Sequence, residues 1–352
     1  MNRETVFIGM DLGTFKTSIA CSNGRREVIP TAVGRPKDMI ARAALDSDCV
    51  FGQTIEQHRL ALDVFRPLAK AAMKFQSDMK QPADEATVTR HRDAVHEIVQ
   101  HAVSCMQPAA SADLLAAIGV PSRATTNNKQ FVLDAVHDLF TGVLVVHEPF
   151  AVAYGMNRIN HTLIVDIGAG TIDICPMYGS YTAEEDQITL GLGGDHIDAK
   201  LQESFKSLHP NIPISETEIR RLKEKYGSVR TQEEAMTFRG HDVTELLRDA
   251  CRSFVGPIVH GIVEVTSRFD DDVRHQLLQN IVLAGGGSQL GGLTLAVERG
   301  LTDHESTGRA TVNVTKVADS VFAGAAGSLK LAMDLPAEQW ERLRASQQKS
   351  AA

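Results

Sequence analysis

The chain has 352 residues, 43% hydrophobic and 23% charged, ordinary proportions for a globular protein with room for about two domains. Its 36 Lys and Arg against 44 Asp and Glu give a net charge of −8, which argues against wrapping nucleic acid or binding anionic lipid through charge alone. No apolar run approaches the ~20 residues of a spanning helix, and Glu4 and Asp11 interrupt the region where a secretion signal would be apolar. The five cysteines (Cys21, Cys49, Cys105, Cys175, Cys251) are scattered and odd in number, as free thiols in a reducing cytosol would be. A cytoplasmic protein with no direct membrane insertion is expected.

In chain order, residues 6–10 read as a short strand ending in the turn Asp11-Leu12-Gly13-Thr14, followed by a second strand at 18–21. A polar insert with Pro36, Pro67 and Pro82 occupies about 36–84. His96 and His101 resemble a zinc-protease pair, but five residues along a helix put them about 140° apart, so they cannot share a metal on one face. Residues 115–120 form an apolar strand ending at Pro121-Ser122, then a helix to about Phe140 and a small-residue helix over 149–155. The opening pattern then returns: residues 163–165 lead into Asp166-Ile167-Gly168-Ala169-Gly170-Thr171, with a strand at 172–175. Residues 180–265 read as mostly helical. A strand at 281–284 runs into Gly285-Gly286-Gly287-Ser288, a helix starts near Leu290, and a second small-residue helix covers 320–331. The tail after Pro336 carries Trp340 and reads as a docked or frayed end, with a membrane anchor as the lesser alternative.

The two Asp-apolar-Gly turns suggest two halves built alike. Glycine after a strand lets backbone N–H groups approach a phosphate, threonine hydroxyls add donors, and a carboxylate at each strand end suits a hydrated Mg²⁺. One such turn occurs in many hairpins; two in matching contexts, with a triple glycine before a helix, outweigh three unrelated turns. The triple glycine offers bare backbone against which a nucleobase can lie. Other nucleotide motifs fail. There is no Gly-Lys dipeptide for a Walker A loop, and the stretch from Gly168 to Asp173 lacks the third glycine of the dinucleotide fingerprint.

The pattern resembles the superfamily of actins, bacterial actins and heat-shock chaperone ATPases. The resemblance implies an α/β actin-like ATPase fold: two duplicated RNase H-like α/β domains around a nucleotide cleft, each with a smaller subdomain. The expected division is 1–155 (insert 36–84), 156–335 (helical insert 196–264) and a tail, 336–352. It implies that Asp11, Gly13, Thr14, Phe15, Lys16 and Thr17, together with Asp166, Gly168, Ala169, Gly170 and Thr171, hold the phosphates. Gly194, Asp195, Lys223, Glu224, Gly285, Gly286, Gly287, Ser288 and Gln289 would complete the ATP site, and Asp11 and Asp166 would hold Mg²⁺. Val120-Pro121-Ser122 and residues 318–327 resemble the two connecting segments. One departure stands out: the first turn carries Phe15-Lys16 where relatives have smaller or differently charged residues.

His147-Glu148-Pro149-Phe150 with Tyr154-Gly155, the stretches 164–175 and 278–288, residues 33–38 and the Trp340 tail are similar, within that superfamily, to the MamK family of magnetosome-associated bacterial actins. The resemblance implies a slow ATPase, assembling with copies of itself or with a paralogous subunit, and organising magnetosomes through adaptor proteins. Glu148 would orient the attacking water, with Asp166 nearby. The alternatives are a rod-shape or plasmid-type bacterial actin, a non-filament ATP-binding adaptor, or a small-molecule kinase using Asp173 or Asp195. A chaperone ATPase would need a further substrate-binding domain.

Overall fold

The computed structural model describes residues 4–68, 85–121, 126–179, 182–231, 235–308 and 310–350. Ser122 and the later part of the first insert lie outside these residues. The chain forms two compact units. Unit one comprises Met1–Asn157 with Val321–Ala352, and unit two comprises Arg158–Ser320. The reading from sequence gave residues up to 335 to the second half; packing returns the chain to unit one at Val321.

Unit one opens with β1 (Thr5–Leu12), β2 (Lys16–Cys21) and β3 (Arg26–Pro30). The insert follows: β4 (Val33–Pro36), α1 (Met39–Leu45), α2 (Gln53–Gln57) and β5 (Leu62–Phe65). Then come α3 (Glu85–Cys105), β6 (Asp113–Val120), α4 (Thr126–Val136), β7 (Gly142–His147) and α5 (Glu148–Gly155). In unit two, β8 (Asn160–Ile167), β9 (Ile172–Tyr178) and β10 (Ile188–Leu190) precede α6 (Gly194–Leu208) and α7 (Glu216–Tyr226). The hairpin β11 (Thr237–Phe238) and β12 (His241–Asp242) leads to α8 (Thr244–Arg252), α9 (Val255–Thr266) and α10 (Asp271–Leu278). β13 (Ile281–Ala284), α11 (Leu293–Thr302) and β14 (Val314–Lys316) complete it. α12 (Ala323–Asp334) and α13 (Ala337–Ser350) belong to unit one.

The duplication expected from the two turns is present in the sheets. Unit one has the strand order β3-β2-β1-β6-β7 and unit two has β10-β9-β8-β13-β14. In each, the first hairpin is antiparallel and the later two strands run parallel to the first. The register also matches: Asp11 lies between Ser18 and Gly119, and Asp166 between Asp173 and Ala284. Strands such as 163–165 are apolar throughout because both faces are covered. β10 falls inside the stretch read as helical. Its three residues are too few to show an alternating pattern.

Glycines set the spacing in unit one. A Cβ on Gly9 of β1 would overlap the backbone of Ala325 and Leu329 in α12, and one on Gly327 would overlap the carbonyl of Ala151 in α5. The small-residue helices thus pack against each other, with α12 lying on β1. The tail is docked: Trp340 is 3% exposed, its indole Nε1 donates to the Ala332 carbonyl at 3.2 Å, and Gln347 exchanges hydrogen bonds with the backbone of Val143 on the edge strand β7. A buried Trp340 removes the membrane-anchor alternative for that side chain. The helix expected near Leu290 starts at Leu293, because Gly292 takes a φ of 78° just before it.

Gly327→Ala should therefore destabilise the protein by about 2 kcal/mol or more, since neither helix backbone can yield. A Cβ on Gly256, in α9, meets nothing within 4 Å, so Gly256→Ala should be neutral or stabilising by about 0.5 kcal/mol. Urea unfolding of both variants beside the parent checks the contrast.

Candidate functional site

In unit one the candidate residues gather at the carboxyl end of β1. The turn is tight: a Cβ on Gly13 would stand 2.7 Å from the Lys16 carbonyl. Thr31 staples it, donating from its hydroxyl to the Gly13 carbonyl at 2.8 Å and from its N–H to the Phe15 carbonyl at 2.8 Å. Thr17 is wholly buried and its hydroxyl pairs with that of Thr31 at 2.9 Å, so this side chain braces the turn from inside. Thr14 is partly exposed and Lys16 is exposed. Thr31 was absent from the reading by motif, because a lone threonine after the third strand has no recognisable spacing.

Asp11 sits under α12, where a Cβ on Gly324 would come within 3.2 Å of its Oδ2. Its Oδ1 is buried with no hydrogen-bond donor among the described residues. Burial pushes its pKa up to about 6, and a side-chain hydrogen bond with Glu148 opposes that rise. Glu148 starts α5, followed by Pro149, whose fixed φ suits the first turn. Before it, His147 is buried, and desolvation with help from the Lys129 charge pushes its pKa down to about 4. The imidazole is therefore neutral near pH 7.

Unit two repeats the arrangement around Asp166, which is 4% exposed. Its turn is closed by the Gly168 N–H donating to the Thr171 carbonyl at 2.9 Å. The start of α6 docks on that turn: the N–H groups of Gly194 and Asp195 donate to the carbonyls of Gly168 and Ala169 at 3.0 and 2.8 Å. Gly193 is required there, since a Cβ would overlap the Ala169 carbonyl. The glycine segment presses on the same strand end; a Cβ on Gly285 would overlap Asp166 Oδ1, and one on Gly287 would overlap Ile167. Ser288 is buried and its hydroxyl donates to the Gly285 carbonyl at 2.7 Å, bracing the turn, while Gly286 and Gln289 are exposed.

Helix α7 ties these pieces together. Lys223 Nζ donates to the Gly194 carbonyl at 2.8 Å and pairs with Asp198 at 2.8 Å. Arg220 bridges Asp195 at 3.2 Å and Asp198 at 3.3 Å. Burial pushes the Asp198 pKa up in spite of these two cations. Beyond the helix, the Gly291 N–H donates to the Gly227 carbonyl at 3.0 Å, which fastens α7 to the glycine segment. Glu224 is exposed on the same helix. Asp198 and Arg220 were not among the residues singled out from sequence, since a helical Asp and Arg carry no signal until their partners are known.

In unit one the Gly13 turn stands beside a buried Asp11 oxygen with no donor among the described residues, and in unit two Gly193, Gly285 and Gly287 line their turns with bare backbone; each by itself fits part of a magnesium-bound nucleotide. Among the described residues no group of three or more His, Cys, Asp or Glu could hold a metal. A cation here would keep most of its water, as Mg²⁺ does.

Comparison with known proteins identifies the family. Residues 77–326 match the family model for MreB/Mbl protein. The actin-like protein MamK of Magnetospirillum gryphiswaldense is 34% identical over 349 residues, covering 97% of this chain and 92% of the relative. The chain belongs to the MamK family of bacterial actins. A MamK-like protein of Paramagnetospirillum magneticum is 29% identical over 350 residues, covering 97% and 98%. Among solved structures, a MamK double helical filament matches with a TM-score of 0.83 at 34% identity, covering 95% of this chain and all of that one. A non-polymerising MamK mutant bound to AMPPNP matches at 0.71 and 33%, with the same coverage. Both confirm the actin-like fold. Among the described residues of this MamK-family chain, no helix is long and apolar enough to cross a membrane.

A folded-state pKa near 6 for Asp11 lies above the ordinary 3.8. Between those values the folded chain holds a proton that the unfolded chain has released, so stability falls as pH rises through the window. The full loss, on the order of 2–3 kcal/mol, is reached above about pH 6. Without nucleotide and in EDTA, Asp11→Asn should be more stable than the parent at pH 7.5 and nearly equal at about pH 4. Urea unfolding at the two pH values checks this; the same difference at both would contradict it.

Proposed function

We propose that this chain binds Mg-ATP, polymerises head-to-tail into actin-like filaments and hydrolyses the ATP slowly to drive filament turnover, organising magnetosomes in the cytoplasm. The observation that carries the reading is the matched pair of strand-end acids, Asp11 and Asp166, each followed by a glycine turn in the same register of a duplicated sheet. Kinship with MamK over nearly the whole chain supports it. So do the relatives described as a filament and as bound to AMPPNP.

Gly13, Thr14 and the 168–171 turn donate to the phosphates. Gly285, Gly286, Gly287 and Gln289, with Lys223 and Glu224, receive the adenosine, while Thr17 and Ser288 brace their turns. Asp11 and Asp166 would hold Mg²⁺, and that ion would supply charge neutralisation at the phosphates. Glu148 orients the attacking water and accepts its proton, held in place at the start of α5.

The partners are further copies of the chain or a paralogous subunit, with adaptors that link filaments to magnetosomes. Head-to-tail contact is heterologous and does not close, so it yields an open filament. A kinase would need a base near the phosphates, yet Asp173 accepts a hydrogen bond from the Thr189 hydroxyl and Asp195 is paired with Arg220.

Sedimentation with Mg-ATP, Mg-ADP or no nucleotide, with phosphate release followed in the same tubes, tests the reading. The parent should pellet with Mg-ATP and release phosphate slowly. Glu148→Ala should still bind ATP and pellet, while phosphate release falls about 100-fold or more. Undiminished release in that variant would sink the assignment of Glu148.

A further inference from the structure

Phe15, in the first turn, has a partner from the insert. The guanidinium carbon of Arg66 lies 4.2 Å from the centre of the Phe15 ring. Arg66 directly follows β5, which pairs with β4, and the backbone around it is anchored on both sides. The Phe65 ring meets His91 edge-on at 4.8 Å and lies under Arg90 at 4.3 Å. The same His91 ring is hydrogen-bonded through Nδ1 to the Pro67 carbonyl at 2.8 Å, and Leu68 is buried in the core of unit one. Phe15 is held in turn by the Thr31 N–H on its carbonyl. Arg66 is thus a half-buried cation set against the turn by fixed backbone at both ends.

A guanidinium stacked on a ring keeps its N–H donors in its own plane, a fork that matches phosphate oxygens. Asp11 at the turn and Glu148 beside it at the start of α5 are both acids, so a polyphosphate arriving there adds negative charge to an acidic corner. Arg66 answers that excess from within the same chain.

We propose that Arg66, presented by the Phe15 ring, contacts the terminal phosphate of bound ATP and so distinguishes ATP from ADP. The inference rests on the nucleotide reading above. It also couples the β4–β5 insert to the state of the nucleotide, because Arg66 stands at the base of that hairpin.

Calorimetric titration of Mg-AMPPNP and Mg-ADP into the parent, Arg66→Ala, Arg66→Lys and Phe15→Leu tests it. Arg66→Ala should weaken AMPPNP about tenfold or more and ADP less than about twofold, the loss expected for one charge-assisted fork. Arg66→Lys and Phe15→Leu should lose an intermediate amount, again for AMPPNP alone. Circular dichroism reports whether each variant folds; if Arg66→Ala does not, Arg66→Lys decides by the same criterion. Equal losses for the two nucleotides, or no loss for either, would overturn the role of Arg66 and leave the nucleotide site standing. A parent that binds neither nucleotide would overturn both.

Discussion

The close approach of α12 to β1 is the constraint on which much of unit one depends. It exists because Gly9 has no side chain where Ala325 and Leu329 pass, and because Gly327 has none where α5 passes. The helix then covers the end of β1, with Gly324 against the Asp11 carboxyl. That cover takes Asp11 away from water, raises its pKa and leaves an oxygen without a donor. The same packing sets the start of α5, hence Glu148, beside it. Two acids meeting in a desolvated corner are costly in an empty protein. Such an arrangement makes sense where a cation and a polar ligand are expected.

Unit two solves the same problem with different parts. Asp166 occupies the equivalent register, but the element pressed against it is the glycine segment, and α6 and α7 close over the turn. Backbone hydrogen bonds from Gly194 and Asp195 fix the turn, and a partly buried network of Asp198, Lys223 and Arg220 fixes α6 to α7. One unit thus offers acids and a cation from its insert. The other offers backbone turns and a helix joined to the glycine segment.

Much of this was legible in the chain itself, for identifiable reasons. A strand followed by Asp-apolar-Gly is local, so both turns stood out, and their recurrence foretold the duplication that the two sheets display. The place of Glu148 at the head of a helix was legible through Pro149, which follows it. The third strand of unit two was hidden, since three residues inside a helical stretch have no period to read. The return of the chain at Val321 was hidden too, because a small-residue helix does not say which body it will join.

By itself, then, the sequence determined the turns, the acids at the strand ends and the duplicated order of elements, all of which depend on neighbours along the chain. Only the tertiary structure decided which of those residues brace and which face outward. Thr17 and Ser288 carry the hydroxyls of phosphate-turn residues yet spend them on Thr31 and on the Gly285 carbonyl. Thr31, Arg66 and Asp198 carry no motif, and what fixes each is a partner distant in sequence: Gly13, Phe15 and Lys223. Spacing along a chain can announce chemistry that is local; burial and long-range pairing arise only when segments pack, and packing depends on every surface at once.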